Sequence, residues 1–156
     1  METDDAANDS PKRAVRAIMD SNVLIAHVNP NDSLHKAALA LIELAAQAKL
    51  EVVYFDCVVA ESLSVIARRL EEKKRMNEFG ALADRLFEIA PEVDWEWLFP
   101  EAPRLFNTVI ELMRQTSGQL NFNDALIVVA CRELGINTLL SFDTDFDTIP
   151  DLTRLK

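Results

Sequence analysis

The chain has 156 residues, of which 26 are acidic and 16 are lysine or arginine, so its formal net charge at pH 7 is −10. This balance disfavours broad, non-specific binding to nucleic acid, which needs a basic surface, and it favours metal ions or basic proteins as partners. The hydrophobic share of 49% is ordinary for a globular domain. No apolar run is long enough to cross a bilayer, so no membrane association is expected.

Cys57 and Cys131 lie in apolar segments, and the sequence has no CxxC pair. Buried, reduced thiols fit this pattern, and the N-terminus lacks the pattern of a signal peptide, so we expect a cytoplasmic protein. The two histidines, His27 and His35, are too few and too loosely placed for a zinc site. Each is expected on the surface or in a loop.

Residues 1–13 are mostly polar and acidic, and they are predicted to form a disordered tail. A single domain is expected over residues 14–156. Its first strand, residues 14–19, runs directly into the polar residues Asp20, Ser21 and Asn22. Taken alone, Asp20 is explained by a helix cap or an Asx turn.

A helix is predicted over residues 34–50, with Asp32 or Ser33 as its cap. The β-branched and aromatic residues 51–55 predict a second strand. Asp56 follows this strand and is placed to cap the next helix.

The next helix, residues 57–75, carries an apolar stripe at three- and four-residue spacing, formed by Val59, Leu63, Ile66 and Leu70. Glu61 lies nearly opposite this stripe, so position alone favours a solvated surface glutamate. The last turns of the helix hold the most basic segment of the chain. We call it the basic strip: Arg68, Arg69, Lys73, Lys74 and Arg75. Cations are common at the C-terminal end of a helix, where they interact favourably with its dipole.

Residues 76–89 predict another amphipathic helix, whose core side chains are Phe79, Leu82, Leu86 and Phe87. The connector 90–94 has room for a short strand. An aromatic segment follows, with Trp95, Trp97, Leu98 and Phe99. These rings could stack on bases, but packing against the core or a dimer partner is commoner. Another helix is predicted over residues 105–115.

The segment 121–150 organises the rest of the chain. Its unbroken apolar run, residues 125–130, predicts a helix covered on most sides. Asn123 or Asp124 is the expected N-cap, and Gly135 is the expected C-cap. A short buried strand, residues 137–140, follows, and it leads into three acids: Asp143, Asp145 and Asp147.

Strands that alternate with helices predict an α/β fold with three layers, α/β/α, and a mainly parallel central sheet. In such a sheet the ligand site lies at the carboxyl ends of the strands. Asp20 and Asp143 follow strands, whereas Glu61 and Asp124 lie in the first turns of helices. We therefore expect these four acids, which we call the carboxylate cluster, to meet in one cleft.

Four stretches of the chain resemble the PIN-domain family of nucleases, which includes the VapC-type toxins of toxin–antitoxin pairs. Residues 20–25 (DSNVLI) resemble its opening motif, and residues 59–61 (VAE) resemble the helix with its second acid. Residues 123–127 (NDALI) resemble its third-acid motif, and residues 139–146 (LLSFDTDF) resemble its last one. Ser141 stands where threonine is usual in the family. The matches follow the family order from about residue 16 to about residue 148.

The resemblance implies a metal-dependent endoribonuclease whose products carry a 5′-phosphate and a 3′-hydroxyl. Carboxylate oxygens are hard ligands, which predicts Mg²⁺ or Mn²⁺. Asp20, Asp124 and Asp143 are the expected ligands, directly or through water. Glu61 is expected to hold a ligand water or to act as a general base. The side chains expected to orient the carboxylates are Ser21, Asn22, Ser141 and Asp145.

The expected partners are RNA, an antitoxin protein and a second copy of the chain. An acidic enzyme cannot gather RNA with its overall field, so Arg68, Arg69 and Lys73 are the expected RNA-binding residues. Two alternatives stay open. A PIN-like module could bind RNA or protein without cutting, as the negative charge mildly suggests. A phosphotransferase has less support, because the sequence lacks a glycine-rich phosphate loop.

Overall fold

The computed structural model describes residues 13–156. The predicted disordered tail therefore lies outside the described residues, except for Arg13. The described chain has a five-stranded sheet in the order β3-β2-β1-β4-β5, and every strand pair in it is parallel. The strands are β1 Arg16–Met19, β2 Glu51–Phe55, β3 Trp95–Glu96, β4 Thr138–Leu140 and β5 Thr153–Leu155.

Six α-helices of the described residues cover the sheet: α1 Ser21–Val28, α2 His35–Gln47, α3 Asp56–Glu72, α4 Phe79–Ile89, α5 Ala102–Gln115 and α6 Phe122–Leu134. Helix α1 contacts α2, α3 and α4, and α5 packs against α6. Right-handed crossovers put these two groups on opposite faces of the sheet. The predicted α/β/α fold with its parallel sheet is confirmed.

The strand order reverses at β1, which lies between β2 and β4. Ile18 on β1 is opposite Val53 on one side and Leu139 on the other. The backbone N–H of Asp20 continues the pairing by donating to the carbonyl of Leu140 at 2.9 Å. A crevice at the carboxyl ends of β1 and β4 is the position where open parallel sheets bind ligands.

The core is apolar and continuous around this crevice. In α6, every residue from Ala125 to Cys131 is buried, which explains the unbroken apolar run of the sequence. Burying one valine or leucine side chain contributes roughly 1.5–3 kcal/mol, so this helix anchors the sheet strongly. Cys57 and Cys131 are both buried and free, in agreement with their interpretation as small core residues.

Several predicted helix ends are wrong because non-glycine residues take the left-handed conformation that ends a helix. Lys49 has φ 56° and follows α2, which ends at Gln47 rather than at residue 50. Lys74 has φ 57° and ends the predicted 57–75 helix early, since α3 stops at Glu72. Lysine carries no signal for this conformation, so the sequence could not predict these ends.

Some predicted helix starts are also wrong. The helix predicted over 76–89 begins with a 3₁₀ turn, Met76–Glu78, before α4. Helix α5 begins at Ala102 rather than at residue 105, because a proline is tolerated in the first turn. Neither Asp32 nor Ser33 caps α2: Asp32 Oδ1 accepts a hydrogen bond from the N–H of Leu34, one residue before the helix.

Three further expectations are corrected. Phe87 is not a core residue, since it stacks against Trp95 at the edge of the sheet and is 45% exposed. His27 and His35 are half-buried residues of α1 and α2 rather than loop residues. Strand β5 was not expected, because a strand of three residues is too short to show an alternation of apolar and polar side chains. Within residues 13–156, no helix is both long and apolar enough to cross a membrane.

Candidate active site

Asp20 lies at the centre of the crevice, where β1 ends and α1 begins. It is 4% exposed, and its side chain accepts three hydrogen bonds. Oδ1 accepts from the Ser21 N–H at 2.7 Å, and Oδ2 accepts from Asn22 Nδ2 at 3.0 Å and from the Ser141 hydroxyl at 2.6 Å. Asp20 is therefore both the N-cap of α1 and a fixed, buried carboxylate, so the helix-cap explanation does not exclude the site.

Asn22 and Ser141 join the end of β1 to the end of β4. Asn22 Nδ2 also donates to Ser141 Oγ at 3.2 Å, and Asn22 Oδ1 accepts from the N–H of Phe142 at 3.1 Å. Ser141 Oγ accepts from the N–H of Asp143 at 3.0 Å. One buried hydroxyl thus contacts two acids of the carboxylate cluster. The expected orienting role of both residues agrees with these contacts.

The environment of Asp20 disfavours its negative charge. Burial raises the pKa of the Asp20 carboxyl, and the nearby charge of Asp143 raises it further. The hydrogen bonds from Ser141, Ser21 and Asn22 act in the opposite direction, because they stabilise the carboxylate.

Glu61 lies in the second turn of α3, which packs against α1. It is half-buried, and its pKa is raised by burial first and by the charge of Asp20 second. The nearby Ser21 side chain opposes this rise. Glu61 is therefore half-buried and within reach of the charge of Asp20, so it is not a fully solvated surface glutamate.

Asp124 lies in the first turn of α6. The N-cap of this helix is Asn121, whose Oδ1 accepts from the N–H of Asp124 at 3.0 Å, so neither Asn123 nor Asp124 has the predicted cap role. Because the cap is supplied by another residue, the Asp124 carboxyl is free to face the cleft. Gly135 ends the helix with φ 66°, as predicted.

The pKa of Asp124 is raised by its surroundings. Burial is the largest cause that raises its pKa, to about 7. The charges of Asp20, Asp143 and Glu61 raise it further, in that order. Asp124 therefore interacts with all three other acids of the carboxylate cluster.

Asp143 follows β4, and its backbone N–H is held by Ser141. Its Oδ1 accepts from the N–H of Asp145 at 2.9 Å, which starts the 3₁₀ turn Thr144–Thr148. The Asp145 carboxylate accepts a hydrogen bond from Gln119 Nε2 at 3.0 Å. Asp145 therefore orients Asp143 with its backbone, while its side chain ties two loops together.

The donor set is suited to a hard cation, since it consists of carboxylate oxygens whose repulsion a cation would relieve. Within residues 13–156, however, no three acidic, histidine or cysteine side chains are close enough to hold one ion directly. Mg²⁺ commonly binds one or two carboxylates and keeps several waters, so this spacing fits a cation held partly through water.

Asp56 is a buried acid that the sequence analysis treated only as a helix cap. Its side chain accepts hydrogen bonds from the N–H groups of Cys57 (2.8 Å), Leu98 (2.8 Å) and Phe99 (3.0 Å). These bonds fix the start of α3, which carries Glu61, to the segment that follows β3. No sequence signal connects Asp56 with residues more than forty positions away.

The basic strip continues along α3 from Glu61. Arg68 is seven residues further on, about 10 Å along the helix axis and on the same face. Arg68 and Lys73 are exposed, and neither forms an ion pair with the described part of the chain. Arg69 pairs with Asp32 at 3.0 Å, so its charge is already partly satisfied.

Comparison with known proteins supports the assignment of the fold. Residues 17–152 match the PIN domain family. No curated protein matches the chain at a significant level. Among solved structures, the chain is similar to VapC20 of Mycobacterium tuberculosis, a toxin that cleaves the sarcin–ricin loop. Identity is 21%, the match covers 86% of this chain and 95% of the other, and the TM-score is 0.64.

The chain is also similar to VapBC2 of Rickettsia felis, solved in complex with a DNA fragment from its promoter. Identity is 15%, the match covers 90% of this chain and 97% of the other, and the TM-score is 0.63. At such identities the structural likeness establishes the fold, while the family match spans most of the sequence. The chain belongs to the PIN-domain family.

Proposed function

We propose that the protein is a metal-dependent endoribonuclease and the toxin of a toxin–antitoxin pair. The observation that carries the proposal is the carboxylate cluster itself: four acids from distant parts of the chain lie around one crevice, and the charges of neighbouring acids help to raise the pKa of Asp20, Glu61 and Asp124. A fold gains no stability from such repulsion, so the arrangement argues for a function that requires it.

A divalent cation, Mg²⁺ or Mn²⁺, would supply two effects when bound: it lowers the pKa of a water molecule and neutralises charge on a phosphodiester. Asp20, Asp124 and Asp143 would hold the cation, directly or through water. The hydroxyl of Ser141 and the amide of Asn22 would keep the Asp20 carboxylate oriented toward it.

Glu61 is the candidate general base. Its raised pKa makes the carboxylate a better proton acceptor than an ordinary surface glutamate. A proton taken up at the Glu61 carboxylate would come from the attacking water. The nearby Ser21 side chain lowers the pKa of Glu61 and so partly offsets the effect of burial.

RNA would approach along α3, where Arg68 is an exposed cation on the face of Glu61 and Lys73 is an exposed cation directly after the helix. Arg69 contributes less to this proposal, since Asp32 already neutralises part of its charge. An antitoxin is a further part of the proposal, supported by the similarity to VapBC2. A homodimer is also proposed, from the family resemblance alone. An RNA substrate is consistent with a cytoplasmic location.

The direct test is cleavage of a labelled single-stranded RNA in the presence of Mg²⁺ or Mn²⁺, with EDTA as the metal-free control. We expect cleavage with divalent metal and 5′-phosphate ends on the products. Asp143→Asn should abolish cleavage and leave RNA affinity similar or higher. Asp84→Asn removes the same charge from an exposed position on α4 and should cut like the parent.

Two outcomes would reject the nuclease assignment. One is RNA binding without cleavage under any metal, which would favour a non-catalytic binding module. The other is equal cleavage by the parent and by Asp143→Asn, which would indicate a contaminating ribonuclease. The second candidate is the non-catalytic binding module, because a net charge of −10 is unfavourable for an enzyme that must bind RNA.

A further inference from the structure

A cluster of aromatic rings lies at the β3 edge of the sheet, away from the carboxylate cluster. Phe87 at the end of α4 packs against Trp95 with ring centroids 6.1 Å apart, and Trp95 packs against Trp97 at 5.3 Å. We call these three residues the aromatic edge. Strand β3 is an outer strand of the sheet and has only two residues, so the described chain offers little to cover it.

Part of this cluster is exposed in a way that the fold does not require. Trp97 is 50% exposed, and the neighbouring Val93 is 87% exposed. Trp95 is held in place because its Nε1 donates to the carbonyl of Ala90 at 2.9 Å. Trp97 makes no such bond to the described residues, so its indole N–H is free to donate to another molecule. Contiguous exposed aromatic surface commonly marks a protein-binding site.

The charges around the aromatic edge select the kind of partner. Glu88, Glu92 and Asp94 lie beside the rings in the sequence, and none has an ion pair among residues 13–156. Acids in these positions repel the phosphates of RNA. They also disfavour a symmetric contact with a second copy, which would bring the same acids together.

Two cations of this region are already paired with acids. Arg16 pairs with Glu96, and Arg104 pairs with both Glu101 and Glu133. A cavity of ≈ 220 Å³ opens beside Trp97, and its lining combines apolar residues such as Leu105 and Leu134 with the ion-paired Glu96, Glu101, Arg104 and Glu133. The surface therefore combines a tryptophan pair, free acids and a recess with a partly apolar lining.

We propose that the aromatic edge binds a basic segment of a partner protein, with an arginine or lysine stacked on Trp97 and an apolar side chain in the adjacent recess. A guanidinium over an indole face is favourable in its own right. Glu92 and Asp94 would pair with further cations of the segment. The proposal does not depend on the nuclease activity, because it uses no residue of the carboxylate cluster.

The chain offers a direct readout, since both of its tryptophans belong to the aromatic edge. The probe is a short amidated peptide of alternating arginine and leucine. We expect a saturable change of tryptophan emission in the full-length parent protein, and an apparent affinity that weakens with added salt. A peptide of alternating glutamate and leucine should produce no change.

The variants are compared by fluorescence anisotropy of the labelled arginine–leucine peptide. Trp97→Ala should weaken binding by about tenfold or more, as for a central interface residue. Glu92→Gln with Asp94→Asn should also weaken binding and flatten its salt dependence. The matched control is Leu39→Ala, which removes an equally exposed apolar side chain on α2 and should bind like the parent.

Several results would overturn the proposal. One is an unchanged emission on addition of the basic peptide, and another is equal binding by Trp97→Ala and the parent. Quenching by a single-stranded RNA oligonucleotide that Trp97→Ala abolishes would make the surface a nucleic-acid site. Sedimentation of the parent as a dimer and of Trp97→Ala as a monomer would make it an interface between two copies of the chain.

Discussion

The Ser141 hydroxyl donates to Asp20 Oδ2 at 2.6 Å, although the two residues lie 121 positions apart in the chain. The same oxygen accepts from the N–H of Asp143 at 3.0 Å. One buried side chain therefore holds two acids of the carboxylate cluster: Asp20, which follows β1, and Asp143, which follows β4.

Ser141→Ala should weaken both the fold and the site. The buried Asp20 carboxylate loses its shortest hydrogen bond and the N–H of Asp143 loses its acceptor, and a polar group left without a partner costs roughly 1–3 kcal/mol. We expect a lower urea midpoint and a higher Mn²⁺ concentration for half-maximal RNA cleavage. Ser141→Thr keeps the hydroxyl and should retain the parent's Mn²⁺ dependence. An Ala variant with unchanged Mn²⁺ dependence would reduce Ser141 to a packing residue.

Asp124→Asn should stabilise the metal-free protein at neutral pH. The folded-state pKa of Asp124 is raised to about 7, so between about pH 4 and about pH 7 the folded chain retains a proton that the unfolded chain has lost. The stability of the parent therefore falls as the pH rises through this window. Asp20 and Glu61 act in the same direction.

Urea denaturation at several pH values without metal measures this effect. The advantage of Asp124→Asn should be absent near pH 4 and reach roughly 1 kcal/mol at pH 8, since solvent screens a group that is only half-buried. Asn121 still caps α6 in the variant. A variant less stable than the parent at pH 8 would instead show that the Asp124 charge stabilises the helix N-terminus.

Asp56→Ala should destabilise the protein by about 3 kcal/mol, because three backbone N–H groups lose their acceptor. Asp56→Asn keeps one acceptor oxygen and should lose less. The control, Asp151→Ala, breaks an exposed ion pair with Arg132 and should cost below about 1 kcal/mol. If both Ala variants unfold at the same urea concentration, Asp56 does not fix the start of α3.

Arg68→Ala with Lys73→Ala should weaken RNA binding and lower the slope of log affinity against log salt by roughly 0.7 per lost phosphate contact. Mn²⁺ binding should stay near that of the parent. The matched control is Arg13→Ala with Lys49→Ala, which removes the same charges beside the starts of β1 and β2, opposite the crevice. If the two double variants bind RNA equally at every salt concentration, the basic strip is not the RNA-binding surface.

The parallel α/β fold, the strands β1, β2 and β4 and the apolar helix α6 were predictable, because apolar runs and short polar junctions appear directly in the sequence. The acids of the crevice were also predictable, because the family motifs that contain them appear directly in the sequence. Glu61 shows the limit of helical periodicity: its position opposite the apolar stripe suggested solvent, but the side chain is half-buried and its pKa is raised by burial and by the charge of Asp20. Periodicity within one helix does not report which neighbour lies beside it.

The remaining errors come from long-range contacts and from unusual backbone. Asn121 rather than Asp124 caps α6. The sequence offers both as cap residues, and only the hydrogen bond from the Asp124 N–H to Asn121 Oδ1 identifies Asn121 as the cap. Lys49 and Lys74 end helices in a conformation that glycine usually takes. The bonds from Asp56 to the segment after β3 depend on how β2 and β3 pair, which the sequence of either strand does not reveal.

The central claim is that the carboxylate cluster binds a divalent cation, and calorimetric titration of Mn²⁺ into the metal-free protein tests it most directly. The account predicts saturable binding by the parent, affinity weakened by at least about tenfold in Asp143→Asn from the loss of a charged ligand, and unchanged binding in Asp84→Asn. Mn²⁺ should also raise the melting temperature of the parent, since only the folded chain brings the carboxylates together. No binding by the parent at millimolar Mn²⁺, or equal binding by Asp143→Asn, would contradict the account.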